Sequence, residues 1–140
     1  MDRIALVISD VDGTLVDTQK RVTERTRQAV AALQARGIGF TIVSSRPPFG
    51  LRMLIETLGI TAPVAAFNGG AIASPALKIL NQRSIDPDVA RAIIAFLDAR
   101  KVGAWLFTDT EWLRDYFHAK FLNLVLPIIF VFGTAGFTGT

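Results

Sequence analysis

Cysteine is absent from this chain of 140 residues, which excludes disulfides and thiolate metal sites and fits a reducing, cytoplasmic setting. Histidine occurs once, as His118, far from every motif described below, and is read as a surface residue. No G-x-G-x-x-G follows the first apolar run, which excludes the dinucleotide-binding fingerprint. There are no internal repeats, low-complexity linkers or long charge runs. The 15 basic residues are scattered among 12 acids for a formal charge of +3, so no nucleic-acid footprint is expected. Asp2 and Arg3 are followed by an apolar run too brief for a signal peptide's core and cleavage site. No acid follows Asp115, and no charged residue of either sign occurs from Phe121 to Thr140.

What is present begins with the short run Ile4-Ala5-Leu6-Val7-Ile8. It is branched and uninterrupted, which predicts a strand buried on both faces of a parallel sheet. Directly after it stand Ser9-Asp10-Val11-Asp12-Gly13-Thr14-Leu15. In open α/β sheets the chemistry collects at the carboxyl ends of strands. Extended backbone there aims Asp10 and Asp12 to the same side. Two carboxylates so close repel each other, and a divalent cation is the usual relief, with hard oxygen ligands preferring Mg²⁺. A calcium loop of the EF-hand type does not fit, because the glycine is fourth from Asp10 and the twelfth residue is Arg21. A plain Asx-type turn remains the alternative.

Thr23 is placed to cap a helix that runs to about Arg36 and is ended by Gly37, with Thr26, Ala29, Val30 and Leu33 at helical spacing. Gly39 to Val43 predicts a second strand, ending in Ser44-Ser45-Arg46-Pro47-Pro48. A helix from about Phe49 to Leu58 stops at Gly59, and Val64 to Phe67 forms a third strand, closed by Asn68-Gly69-Gly70. Three strands with two intervening helices make a βαβαβ unit with right-handed crossovers. A hairpin is expected next, Ala71–Ser74 against Lys78–Asn81. Asp86-Pro87-Asp88 reads as a helix start whose apolar face is Val89, Ile93, Phe96 and Leu97, and Ala104 to Phe107 as a strand. The core is expected to hold Leu6, Ile8, Val30, Leu33, Ile42, Val43 and Leu54.

Asp10-Val11-Asp12-Gly13-Thr14-Leu15 resembles the first motif of the haloacid-dehalogenase-like phosphatase superfamily. Thr23 to Arg27, Arg36-Gly37-Ile38, Ser44-Ser45-Arg46-Pro47 and Phe67-Asn68-Gly69-Gly70 fall where its Cof-like branch, the C2-capped sugar-phosphate phosphatases, has landmarks. The resemblance spans Ile4 to Asp115. It implies a doubly wound parallel sheet (a Rossmann-like core), incomplete here and followed by the start of an α+β cap. It implies core residues 1–83, a cap beginning over 84–115 and an atypical apolar tail over 116–140. It further implies a phosphatase acting on a small phosphorylated metabolite through an aspartyl-phosphate. Asp10 is then the nucleophile, and Asp12 the group that protonates the leaving alkoxide and later activates water. Mg²⁺ is ligated by the Asp10 carboxylate and the Asp12 main-chain carbonyl. Ser44, with Ser45, Arg46, Asn68 and Gly69, faces the phosphate or substrate. Taken alone, Ser44 reads more readily as a turn or cap residue, Asn68-Gly69 equally as a hairpin turn, and Arg46 as a residue of the active-site rim with a local carboxylate as its alternative partner.

The chain departs from that family in two motifs, a lysine facing the phosphate and a distal Gly-Asp-x-x-x-Asp for the metal. Lys101 and Lys120 match neither. The change of character after Asp115 resembles a truncated or frame-shifted reading frame, and a relic that binds Mg²⁺ or phosphate weakly is the alternative function. A two-component receiver is disfavoured, since its acceptor aspartate follows the third strand and here that place holds Asn68. Phe121 to Phe137 is apolar but interrupted by Asn123, Pro127, Gly133 and Gly136, which argues against a membrane span. Val125 and Ile128 to Phe132 combine β propensity with no charge, and point to an aggregation-prone end.

Overall fold

The computed structural model describes residues 4–100 together with 103–107, 112–113 and 130–134. The chain divides into two compact units, Met1–Gln82 and Arg83–Thr140. The first holds β1 (Leu6–Asp10), α1 (Glu24–Ala35), β2 (Gly39–Val43), a 3₁₀ turn (Pro48–Leu51), α2 (Arg52–Leu58), β3 (Val64–Ala66), a second 3₁₀ turn (Phe67–Gly69), β4 (Ala71–Ala73) and β5 (Ile79–Gln82). Their five-stranded sheet has the order β1-β2-β3-β4-β5. β1, β2 and β3 run parallel, whereas β4 and β5 are antiparallel, so the Rossmann-like core is a mixed sheet. The expected hairpin forms with Ala71 opposite Gln82.

The caps are those the sequence encodes. Thr23 Oγ1 accepts the Thr26 amide at 3.1 Å and opens α1. Gly59 (φ +58°) closes α2 in the left-handed conformation that only glycine adopts without strain. Gln34 of α1 donates to the Leu58 and Gly59 carbonyls, satisfying orphan acceptors at the end of α2. Val30, Phe40, Ile42, Leu51, Leu54, Leu58 and Val64 are buried and form the core between helices and sheet.

The first strand corrects the sequence reading. Leu6 and Ile8 were expected in the core, but they are 47% and 61% exposed. Among the described residues β1 is an edge strand, paired with β2 alone. Parallel pairing aligns Leu6, Ile8 and Asp10 with Gly39, Thr41 and Val43, so these residues share one face of the sheet. Val7 and Ser9 share the other with Phe40 and Ile42, both buried. Successive right-handed crossovers put α1 and α2 on one face, and the two helices pack on each other. The face carrying Leu6 and Ile8 therefore lacks that cover. Leu33 and Val43, also expected in the core, are half-buried.

The second unit holds α3 (Pro87–Asp98), β6 (Gly103–Phe107), β7 (Trp112–Leu113) and β8 (Phe130–Thr134), the strands in the order β7-β6-β8. Asp86 caps α3, accepting the amides of Asp88 and Val89. The expected apolar face holds in part, with Ile93 and Leu97 half-buried. Ala90 is the buried residue, whereas Val89 and Phe96 are more than half exposed, and Arg100 lies over the Phe96 ring. Within the uncharged tail, Phe130–Thr134 pairs antiparallel with β6. The rest of the tail, with Val125, His118, Lys101 and Lys120, lies outside the described residues. Among the described residues no helix is long and apolar enough to cross a membrane.

Candidate active site

Parallel strands deliver their carboxyl ends to one rim of a sheet. Asp10, the last residue of β1, is in register with Val43, the last of β2, and Val43 with Ala65 of β3. Beyond Val43 the chain stays stitched to β3: the Ser44 amide donates to Ala65 O, the Asn68 amide to Ser44 O at 2.8 Å, and the Phe67 amide to Arg46 O. The loops carrying Asp10, Ser44, Arg46 and Asn68 thus meet at this rim.

Val11 is fully buried between Asp10 and Asp12, both exposed, so strand alternation continues into the loop. Three amides, those of Thr14, Leu15 and Val16, converge on Val11 O and close the turn that Gly13 (φ +83°) permits. Thr14 Oγ1 donates to Asp10 Oδ2 at 3.2 Å. Asp10 enters no ion pair among the described residues. Asp12 is in the opposite condition. Arg46 grips it bidentately, Nε to Oδ2 at 3.0 Å and a terminal nitrogen to Oδ1 at 2.8 Å, while Lys20 Nζ donates to Oδ1 at 2.8 Å. Arg46 and then Lys20 hold the Asp12 carboxyl down at about 2, against an ordinary 3.8. At neutral pH it is a carboxylate throughout.

Ser44 is buried, and its hydroxyl accepts the Arg46 amide at 3.2 Å. That bond shapes the turn and sets the backbone from which Arg46 reaches Asp12, and it leaves the hydroxyl hydrogen of Ser44 unused by it. Ser45 is exposed beside it. Asn68 and Gly69 lie in the turn between β3 and β4, both at positive φ, as is Phe67 (φ +50°). Three consecutive left-handed residues, two of them non-glycine, mark a constrained backbone at the rim.

The residue that sequence reasoning passed over is Lys20. Motif comparison offers no signal for it, since its position depends on a hairpin. Val16 bridges Val22 antiparallel. Between them Asp17 Oδ1 accepts the Gln19 and Arg21 amides, Asp17 Oδ2 accepts the Arg21 guanidinium, and Lys20 N donates to Asp17 O. Folding the 17–21 loop back in this way returns Lys20 to Asp12, eight residues earlier.

The model of the haloacid dehalogenase-like hydrolase family matches residues 7–123. The chain belongs to that family. Among curated proteins, this HAD-like chain is 27% identical over 120 residues to the 5-amino-6-(5-phospho-D-ribitylamino)uracil phosphatase YwtE of Bacillus subtilis (strain 168), covering 86% of this chain and 41% of that one. It is 30% identical over 108 residues to an HMP-PP phosphatase of Enterobacter sp. (strain 638), covering 77% and 40%. Among solved structures, a haloacid dehalogenase-like hydrolase from B. subtilis superposes with a TM-score of 0.71 at 26% identity, covering 79% of this chain and 39% of that one. The HAD-like chain therefore spans about two-fifths of the length of the relatives it matches. The site built from Asp10, Asp12, Ser44 and Asn68 lies within the matched residues.

Proposed function

We propose that this HAD-like chain carries the nucleophile half of a phosphoric monoester hydrolase acting on small phosphorylated metabolites of the sugar-phosphate kind in the cytoplasm. The observation that carries the reading is the unequal state of the two acids. Among the described residues Asp10 is a carboxylate in no ion pair at a strand end, accepting only from Thr14, while Asp12 beside it is neutralised by Arg46 and Lys20. A carboxylate that no side-chain cation grips keeps one oxygen available for attack while the other can face a metal. Asp10 attacks phosphorus, the P–O bond to the leaving group breaks as a proton delivered through Asp12 reaches the departing oxygen, and an aspartyl-phosphate forms on Asp10 with release of the alcohol. Water then cleaves it, releasing phosphate and restoring the carboxylate. Asp12 is the acid–base group of this reading, but its carboxyl is held at about 2 with both oxygens occupied, so it exchanges protons with the leaving group and that water only once Arg46 and Lys20 release it. Ser44 Oγ holds a phosphoryl oxygen, with Ser45, Arg46, Asn68 and Gly69 around the substrate.

The chemistry of this donor set fits a hard divalent cation in part. Among the described residues no three acidic, histidine or cysteine side chains converge, and both Asp12 oxygens are occupied by cations. The Asp10 carboxylate and the Asp12 main-chain carbonyl are the groups that would hold Mg²⁺, which tolerates few protein ligands because it keeps several waters. When bound, it neutralises phosphoryl charge and lowers the repulsion that Asp10 meets.

That same shortage of ligands favours a second reading, in which residues 1–140 alone bind Mg²⁺ or phosphate weakly and turn over slowly. Hydrolysis of p-nitrophenyl phosphate with and without Mg²⁺ separates the two. Turnover of about 1 s⁻¹ or more, within the ordinary enzyme range, that disappears in Asp10→Asn supports the first; phosphate binding without turnover supports the second. Activity retained in Asp10→Asn places the nucleophile elsewhere and overturns the assignment. Among the described residues the outer edge of β1 has no partner strand, and with Leu6 and Ile8 exposed beside it this further favours self-association.

A further inference from the structure

Lys20 belongs to no catalytic motif, yet the fold invests in placing it. It adopts the left-handed conformation (φ +62°), uncommon for a residue with a long side chain. The turn that imposes this is braced by both oxygens of Asp17 and by the Val16–Val22 bridge. The side chain reaches across to Asp12 Oδ1, where it meets the Arg46 nitrogen on the same oxygen, each at 2.8 Å. Two cations from separate loops thus converge on one carboxylate oxygen. One singly charged carboxylate cannot use both of them fully, and the site stays open to water, since Lys20 is 63% and Asp12 33% exposed.

We propose that Lys20 is a phosphate-binding residue of this site: with Arg46 it forms a two-cation seat that Asp12 occupies in the resting protein and that the phosphoryl oxygens of a monoester dianion take over. The proposal rests on the phosphatase reading and deepens it. It assigns to a residue of the 17–21 hairpin the positive charge that a phosphate dianion must meet beside two aspartates. The chemistry favours the exchange. A dianion with three acceptor oxygens can engage the guanidinium fork and the ammonium on separate oxygens, where Asp12 shares one oxygen between them. Because Lys20 is held by backbone bonds of its own hairpin, its place does not depend on Asp12.

The test is titration of the full 140-residue chain with inorganic phosphate, without metal, followed calorimetrically. Lys20→Met is expected to weaken phosphate binding about tenfold, the loss of one charge-assisted hydrogen bond, and Lys20→Arg to restore most of it. Asp12→Asn removes the resting occupant and is expected to tighten phosphate binding. That gain should vanish in Asp12→Asn/Lys20→Met but persist in Asp12→Asn/Lys78→Met, which removes a lysine outside the site. An intact thermal transition in Lys20→Met separates lost binding from lost folding, as expected of an exposed side chain. If phosphate binds, is weakened by Ser44→Ala and is within twofold of wild type in Lys20→Met, the Lys20 assignment is overturned and the phosphatase reading stands. If wild-type protein does not bind phosphate at all, the two-cation seat is overturned, while the phosphatase reading is decided separately by Mg²⁺-dependent turnover and its loss in Asp10→Asn.

Discussion

Arg46→Gln tests whether the Asp12 ion pairs are energetically real. The substitution removes the bidentate contact, two hydrogen bonds of 2.8 and 3.0 Å, and leaves Asp12 with Lys20 alone. In the native protein the Asp12 carboxyl is lowered from 3.8 to about 2, with the Arg46 hydrogen bonds the largest cause and the Lys20 bond next. One pKa unit corresponds to about 1.4 kcal/mol, so full transmission of this shift gives on the order of 2 kcal/mol. A third of the Asp12 side chain is in water and Lys20 is more exposed still. Screening at such a site reduces the figure to about 1 kcal/mol for the whole network. The folded value lies below the unfolded one, so this stabilisation is fully present above about pH 4 and is lost as pH falls through about 2. Two measurements on metal-free protein check this, a carbon-detected NMR titration of the Asp12 carboxyl and urea unfolding at several pH values. Wild type should titrate near the lowered value and Arg46→Gln closer to 3.8. The stability gap between them should be largest at neutral pH and shrink on acidification. An Asp12 that titrates at its ordinary value in wild type, or does not move in Arg46→Gln, refutes the reasoning.

Other expected outcomes concern the scaffold. Ile42 is fully buried, and Ile42→Ala should destabilise the first unit by about 2–5 kcal/mol in urea unfolding. Ile8, two residues before Asp10, is 61% exposed. Ile8→Lys should change stability by less than about 0.5 kcal/mol while reducing self-association in analytical ultracentrifugation; a large loss of stability would show that something covers this face. Thr23→Ala removes the α1 cap bond to Thr26 N and should cost about 1 kcal/mol by thermal or urea unfolding.

Much of the molecule is legible in sequence because local chemistry dictates it. Thr23 and Asp86 declare helix starts through their side-chain oxygens, Gly59 declares a stop through its φ, and the apolar run before Asp10 declares a strand. Each is settled within a few residues of chain. The placing of Asp10, Ser44 and Asn68 at one rim follows almost as directly, since three parallel strands must end on the same side.

Burial is another matter, because it depends on neighbours that a strand's own sequence does not specify. Leu6 and Ile8 have the composition of a buried strand, yet β1 lies at the edge of the sheet, and its outer face is left without helical cover. An apolar pattern records what a strand is fitted to pack against, whereas accessibility records what is there. The state of the two aspartates was likewise beyond the motif. Spacing places Asp10 and Asp12 together, but their difference comes from Arg46, thirty-four residues on, and from Lys20, brought back by the Val16–Val22 hairpin. The sequence by itself determined which groups reach the rim. Only the tertiary structure decided which carboxylate stays free and which is held by two cations, because electrostatic partnership is a matter of ångströms in space and leaves no mark in residue spacing.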